Sequence, residues 1–393
     1  MFTGRRNVLL LAFSQALMLS VIVLSVTLGA VLGSMLAPDR SLATLPIAML
    51  VVGTAIASLP AAFLMRHHGR RAGFMIGIAL GLSGSLLCAL ALQQRSFGLF
   101  VAGHLLLGAY QGFANYYRFA AVEATDPEHA GRAISWVVAG GVVAAFVGPQ
   151  LAAWGRDWMA GASFVGSYLA QAALCVMALA LMAQVRFGPG TIAQTGAARP
   201  LRQILRQSAL RVSILGSAVA YAVMIMVMTA TPLAMLGCGL GSNDVTPVIQ
   251  WHVVGMFAPS FFTGSLIKRF GALPMMQTGF VLLLGHVAVT LLGSEFLHFL
   301  SGLLLLGVGW NFAFVSGTTL LTQTYRPAEQ LKVQAVNEFV IFGLVALSTL
   351  SAGWLYQRFG WIALNLAVVP LLALALLSTS VMGRRIHLLE KPV

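Results

Sequence analysis

From about residue 8 onward the chain alternates between apolar runs of roughly 20 residues and short polar stretches carrying Arg, Lys, Asp or Pro. The runs lie at roughly 8–33, 43–65, 72–93, 97–121, 133–155, 162–184, 212–236, 247–267, 272–293, 298–322, 334–357 and 361–382. Each is long enough to cross a bilayer as an α-helix, so the pattern predicts an all-α membrane protein with twelve transmembrane helices. The first run is itself long enough to span and lacks a small-residue cleavage pattern, which makes it helix 1 rather than a removable signal.

The polar segment 185–211, beginning RFGPGTIAQTGAARP, is the longest non-spanning stretch and is rich in Gly, Pro, Gln and Arg. It divides the chain into an N-terminal six-helix half (1–184), a cytoplasmic linker (185–211) and a C-terminal six-helix half with a short tail (212–393). The halves repeat one another. LLLGAYQGFA from Leu105 matches LLLGVGWNFA from Leu304, and TDPEHAGRA from Thr125 matches YRPAEQLKV from Tyr325. AAFLMRHHGRRAG from Ala61 parallels GSLIKRFGALP from Gly264. A displacement of about 200 residues recurs in all three, as a duplicated six-helix unit requires.

Composition changes this picture little: 59% of residues are hydrophobic and 8% charged, outside the range of a soluble domain. The net charge of +13 adds orientation. With the N-terminus in the cytoplasm, only Arg40, Arg95, Arg156 and Arg358 of the 23 Lys and Arg fall outside, so both termini are expected to be cytoplasmic. The surplus charge then meets anionic lipid head groups, and no nucleic-acid motif accompanies it. Cys88, Cys175 and Cys238 are scattered and form no CxxC motif or disulfide framework. No catalytic constellation and no phosphate-binding Gly-rich loop followed by Lys and Ser or Thr appears, so neither an enzyme nor direct ATP use is expected.

On these residues the chain resembles the major facilitator superfamily. That family's loop between helices 2 and 3 reads G-x-x-x-D-R-x-G-R-R; here Gly69, Arg70 and Arg71 are kept, with Ala62 at the first Gly and Arg66 at the Asp. The copy after helix 8 keeps Gly264, Lys268, Arg269 and Gly271, again without the acid. Gly148 and Pro149, flanked by Ala144 and Ala152, resemble the family's G-x-x-x-G-P-x-x-G stretch in helix 5. The resemblance implies the major facilitator fold, alternating access, and a cytoplasmic gate at Gly69, Arg70, Arg71, Gly264, Lys268 and Arg269. Arg118, about 13 Å from the middle of its helix, joins this gate and can snorkel or pair with Glu123.

Met224 and Met228 stand four apart on helix 7, and His252 and Met256 stand four apart on helix 8. With helix 7 running outward and helix 8 inward, Met224 and Met256 reach the same depth to within about 2 Å. Met228 and His252 share a level roughly 6–8 Å nearer the outside. Thioethers and an imidazole suit a soft monovalent ion, above all Cu(I), whereas Mg²⁺ or Ca²⁺ would want oxygen. The competing reading is that methionines fill gaps between apolar helices.

The pair M-x-x-x-M then H-x-x-x-M resembles the copper importers of the CcoA-like branch of the superfamily, in the bacterial inner membrane. The resemblance implies that Met224, Met228, His252 and Met256 are metal ligands and that copper is moved into the cytoplasm for cbb3-type cytochrome oxidase. Copper would be a transported substrate rather than a resident cofactor. A cytoplasmic copper chaperone or a copper-exporting ATPase would be the partner. Cys238, Met235 and Met18 are accessory candidates, each with packing or an inert thiol as the alternative.

In the superfamily helices 1, 4, 7 and 10 line a central cavity, which singles out Gln15, Gln111, Asn115, Tyr116, Trp310 and Asn311. Such groups could hydrogen-bond and stack on an organic substrate, or serve interhelical hydrogen bonds. The alternative function is accordingly transport of an aromatic solute such as riboflavin, with the Met and His residues serving packing. A non-transporting copper sensor is a third reading, disfavoured because no added cytoplasmic domain is visible. For proton coupling, only Glu123 and Glu338 approach the membrane among the acids, both near the cytoplasmic end, while His104, His252 and His286 could titrate. His286 reads as a structural histidine.

Overall fold

Glycines in the left-handed region decide where the longest apolar stretches turn. The computed structural model describes residues 2–39, 42–159, 161–186 and 198–389; Arg40 and linker positions 187–197 lie outside the described residues. The chain forms α1 (Phe2–Leu36), α2 (Leu45–Gln93), α3 (Phe97–Ala114), α4 (Tyr117–Glu123), α5 (Ala130–Ala139), α6 (Gly141–Trp154) and α7 (Val165–Gln184). There follow α8 (Leu201–Ile204), α9 (Ser208–Gly237), α10 (Ser242–Phe257), α11 (Ser260–Phe270), α12 (Ala272–Leu292), α13 (Phe296–Thr322), α14 (Gln330–Ala367) and α15 (Val369–Leu389). No strand occurs among the described residues.

Nine helices among the described residues are long and apolar enough to cross a membrane. Two of these hold two spans each. Inside α2, Gly69 takes φ 89° and ψ 158°, which reverses the chain between spans 2 and 3. Inside α14, Gly360 takes φ 78° and separates spans 11 and 12. The remaining span is broken at Ala258 and Pro259 into α10 and α11, because the proline ring and its missing N–H interrupt a continuous helix. Twelve spans result, as the hydrophobic pattern predicts.

The repeat is visible in local geometry. Gly271, between α11 and α12, adopts φ 92° and ψ 157°, nearly the angles of Gly69. The two conserved-spacing prolines open matching 3₁₀ turns, Pro127–His129 and Pro327–Glu329.

The chain forms two compact units. Unit 1 comprises Met1–Asp126, Trp136–Ala197 and Pro327–Gly343. Here α2 packs along α3 and α7, and α1 along α6 and α7. Unit 2 comprises Pro127–Ser135, Ala198–Arg326 and Leu344–Val393, with α13 packed against α9, α10 and α12. Hydrocarbon offers helices no hydrophobic reason to associate, so close packing and polar contacts must hold them. In unit 2, a Cβ on Gly279 would lie 2.7 Å from the Gly309 carbonyl, and one on Gly309 would lie 2.9 Å from the Gly279 carbonyl, so only two glycines permit this approach. In unit 1, Gln171 donates to Ser85 at 3.0 Å and accepts from Ser25 at 3.2 Å, joining α7 to α2 and α1. Large apolar side chains such as Phe13, Phe63, Leu292 and Leu374 stay exposed on the helix surfaces, where lipid would cover them.

Candidate functional site

The Gly69 turn of unit 1 is closed by a fully buried guanidinium. Arg70 Nε donates to Glu123 Oε2 at 3.2 Å, and Nη2 donates to Glu123 Oε1 and, at 2.7 Å, to Gln334 Oε1. Its Nη1 reaches Met65 Sδ at 3.6 Å, and the guanidinium lies 5.6 Å from the Tyr116 ring. Arg66, standing where the motif has Asp, is exposed; Glu123 from the end of α4 supplies the acid instead. This corrects the expected pairing of Arg118 with Glu123. Arg118 Nη2 donates to Glu338 Oε1 and Nη1 to the Asn115 carbonyl at 3.0 Å. The reason is reach: Glu123 is spent on Arg70, while α14 brings Glu338 against α4 within the same unit.

The repeated turn of unit 2 is built differently. Gly264 seats α11 on the start of α5, where a Cβ would lie 2.7 Å from the Gly131 carbonyl and 2.8 Å from Ser135 Oγ. Lys268 Nζ stands 3.7 Å from Glu128 Oε2, and both side chains are exposed. Arg269 lies over the Phe270 ring at 5.1 Å, and Arg71 in unit 1 is exposed.

Of the proposed metal ligands, Met224, His252 and Met256 are buried and Met228 is half-buried. The backbone of α10 packs chiefly on α13: a Cβ on Gly307 would meet the His252 carbonyl at 2.6 Å and the Met256 nitrogen at 2.8 Å. His252 Nδ1 lies 2.8 Å from the Leu303 carbonyl, which can only accept, so Nδ1 carries the proton and Nε2 presents a lone pair. That Nε2 is buried without a hydrogen-bond partner among the described residues. Among the described residues no group of three or more His, Cys, Asp or Glu is placed to hold a metal ion. A thioether set with one imidazole is of a different kind. Met18 and Met235 are fully buried, and Cys238, just past α9, is exposed.

The polar residues singled out for the cavity differ in how they are engaged. Tyr116 donates to the Ser58 carbonyl at 2.8 Å, and Gln111 Oε1 accepts from Thr54 at 3.1 Å, both fixing α2 against the helix 4 segments. Asn311 is wholly engaged: its Oδ1 accepts from Thr263 at 2.8 Å, and its Nδ2 donates to the Met256 carbonyl and Ser260. These three bond helix to helix. Gln15 is half-buried, and Asn115 Nδ2 is buried without a partner among the described residues. Trp310 is different again. Its ring stacks on Phe314 (4.9 Å, 12°) and meets Tyr221 (5.2 Å, 70°) and Phe257 (5.8 Å, 82°) edge to face. The indole is 2% exposed, yet its Nε1–H has no partner among the described residues.

Sequence reasoning missed Tyr221, Phe257 and Phe314, because three aromatic residues on three helices have no common spacing to detect. Gln334 and Glu338 as partners of the arginines were equally hidden. His286 fits its structural reading, with Nε2 2.8 Å from Asn365 Oδ1.

Comparison with known proteins gives the following. The family model described as Major Facilitator Superfamily matches residues 8–257. The riboflavin transporter RfnT of Brucella anthropi is 42% identical over 378 residues, 95% of this chain and 94% of that protein. The outward conformation of the transporter FucP superposes with a TM-score of 0.76 at 15% identity, covering 94% of this chain and 97% of that one. The human organic anion transporter TETRAN does so with a TM-score of 0.78 at 14% identity, covering 96% and 99%. Both structures share the fold.

Proposed function

The chain belongs to the Major Facilitator Superfamily and is a multi-pass membrane transporter, not an enzyme, and on that premise we propose that its cargo is a planar aromatic solute of the riboflavin kind. The observation that carries this reading is the near full-length 42% identity with a riboflavin transporter. The aromatic cluster of unit 2 supports it. An indole N–H left without a partner in a buried setting costs free energy unless something accepts from it, and a heteroaromatic ring bearing carbonyls offers both acceptors and a stacking face. Trp310 would donate to the cargo and Tyr221, which is half-buried, would pack against its ring.

Copper remains the second reading, favoured by one feature: His252 holds its Nδ1–H on a backbone carbonyl and leaves Nε2 available, the arrangement of a metal-binding imidazole. In that reading copper is cargo, delivered to the cytoplasm for oxidase assembly. For either cargo we place the protein in a bacterial inner membrane, working by alternating access with both termini cytoplasmic, on the distribution of Lys and Arg. Exposed Cys238 should then react with a membrane-impermeant thiol reagent added outside, while buried Cys88 and Cys175 stay unlabelled.

The deciding experiment measures riboflavin and copper uptake side by side in cells expressing the protein and its variants. Trp310→Ala should lower riboflavin uptake by about tenfold, as loss of one aromatic contact and one hydrogen bond predicts. Met224→Leu and His252→Leu should leave riboflavin uptake intact. Copper accumulation lost in the latter two, with no riboflavin uptake by any form, would reverse the assignment.

A further inference from the structure

Glu338 on α14 is fully buried, and among the described acidic residues it shares that state only with Glu329, which lies in the 3₁₀ turn before α14. Two donors converge on one of its oxygens: Arg118 Nη2 and, at 2.7 Å, Asn337 Nδ2 both donate to Oε1. Oε2 is buried and has no hydrogen-bond partner among the described residues. A carboxylate in an apolar setting is ordinarily bonded through both oxygens, so a bare oxygen beside a satisfied one marks a place where something else binds. A carboxylate oxygen can only accept, and the ligand that needs no extra room is a proton.

We propose that Glu338 is a proton-binding site through which transport is coupled to a proton gradient. The step balances simply. One O–H bond forms at Oε2 and one breaks in the hydronium ion that delivers the proton, leaving water; Arg118 keeps its proton, and the pair passes from neutral to singly positive. That excess charge is the coupling device. In the deprotonated form the carboxylate and guanidinium neutralise each other without water; in the protonated form Arg118 faces a neutral acid and must find water or another anion. Proton uptake therefore weakens the tie between α4 and the first turns of α14, and release restores it.

The charged and titratable neighbours support a single exchangeable proton. Arg118 approaches from α4. Arg70 from α2, held by Glu123 at the end of α4, closes on Gln334 one turn before Glu338. Tyr116, at the break between α3 and α4, donates to Ser58 and keeps its hydroxyl out of the site. Glu123 has both oxygens on Arg70, so its carboxylate is already occupied.

The test has two arms, one of which needs no cargo. In pH-difference infrared spectra of the purified protein, mild acid should raise a protonated-carboxyl band that is absent in Glu338→Gln and displaced in Glu338→Asp. In proteoliposomes, which rest on the riboflavin reading, an imposed proton gradient should drive riboflavin accumulation by the unsubstituted protein. Glu338→Gln should lose that accumulation yet retain riboflavin counterflow, which exchanges cargo without net proton movement. A band unchanged in Glu338→Gln, or gradient-driven accumulation equal to that of the unsubstituted protein, would overturn the proposal. So would loss of counterflow together with a band independent of residue 338, which would make Glu338 a holding contact. If the unsubstituted protein shows no riboflavin counterflow, the cargo assignment fails alone and the infrared arm decides the proton site. Should Glu338→Gln not fold, the displaced band of Glu338→Asp carries the assignment.

Discussion

Unit 1 closes its Gly69 turn around a buried arginine, and unit 2 closes its Gly271 turn with a glycine contact and an ion pair in the open. The two turns descend from one repeated sequence and share backbone angles within a few degrees, φ 89° and ψ 158° against φ 92° and ψ 157°. Their side chains solve different problems. Arg70 can be buried because Glu123 and Gln334 reach it from two other segments. Lys268 meets Glu128 at 3.7 Å with both side chains exposed, so α11 is held by close approach at Gly264 instead. Duplication thus preserves the turn, while acids arriving from distant sequence decide whether charge can be placed inside.

Breaking the buried network should cost most. Arg70→Ala strands the Glu123 carboxylate and removes one donor from Gln334, and removal of one partner from a buried pair typically costs about 3 kcal/mol or more. Thermal unfolding of the purified protein in detergent should show the largest drop of the series. Next comes Gly264→Val. Its Cβ would lie 2.7 Å from the backbone of α5, and overpacking of this kind costs about 1–3 kcal/mol. The same melting measurement should place it second; a melting temperature like that of the unsubstituted protein would show that α11 does not depend on this approach.

The shared turn offers a sharper comparison. Gly69→Ala and Gly271→Ala both put a side chain where the backbone is left-handed and extended, a strain of about 1–3 kcal/mol. Nothing lies within 4 Å of a Cβ at Gly69, and the nearest atom to one at Gly271 is Pro274 Cδ at 3.5 Å, so the two losses should match. Unequal losses would mean that the turns, alike in angle, are not alike in energy. Smallest of all is Lys268→Ala. An exposed pair contributes no more than about 0.5 kcal/mol, and added salt should abolish whatever difference remains.

The legible part of the fold was the part written locally. Span length, the prolines at 127 and 327, and the glycine turns each act within a few residues, so apolar runs and a displacement of about 200 residues revealed them. The span count needed structure only to show that α2 holds two spans, that Gly360 inside α14 divides the last two with the twelfth continuing into α15, and that α10 and α11 share one. The site was less legible. Motif spacing found Arg70, and position along helix 4 found Arg118, but neither revealed the contacts with Gln334 and Glu338, which stand 264 and 220 residues away. Among the polar residues read as cavity lining, Tyr116 and Asn311 turn out to have their polar ends engaged by neighbouring helices, whereas Trp310 does not. All three look alike in sequence.

What the sequence determined by itself is the solvent each segment accepts: runs without charge must cross hydrocarbon as helices, because no water there can satisfy a bare backbone. What only the tertiary structure decided is which polar group meets which. A hydrogen bond depends on the facing of two helices to within an ångström, and that facing is fixed by packing along their whole length, at contacts such as Gly279 on Gly309 that no local pattern announces.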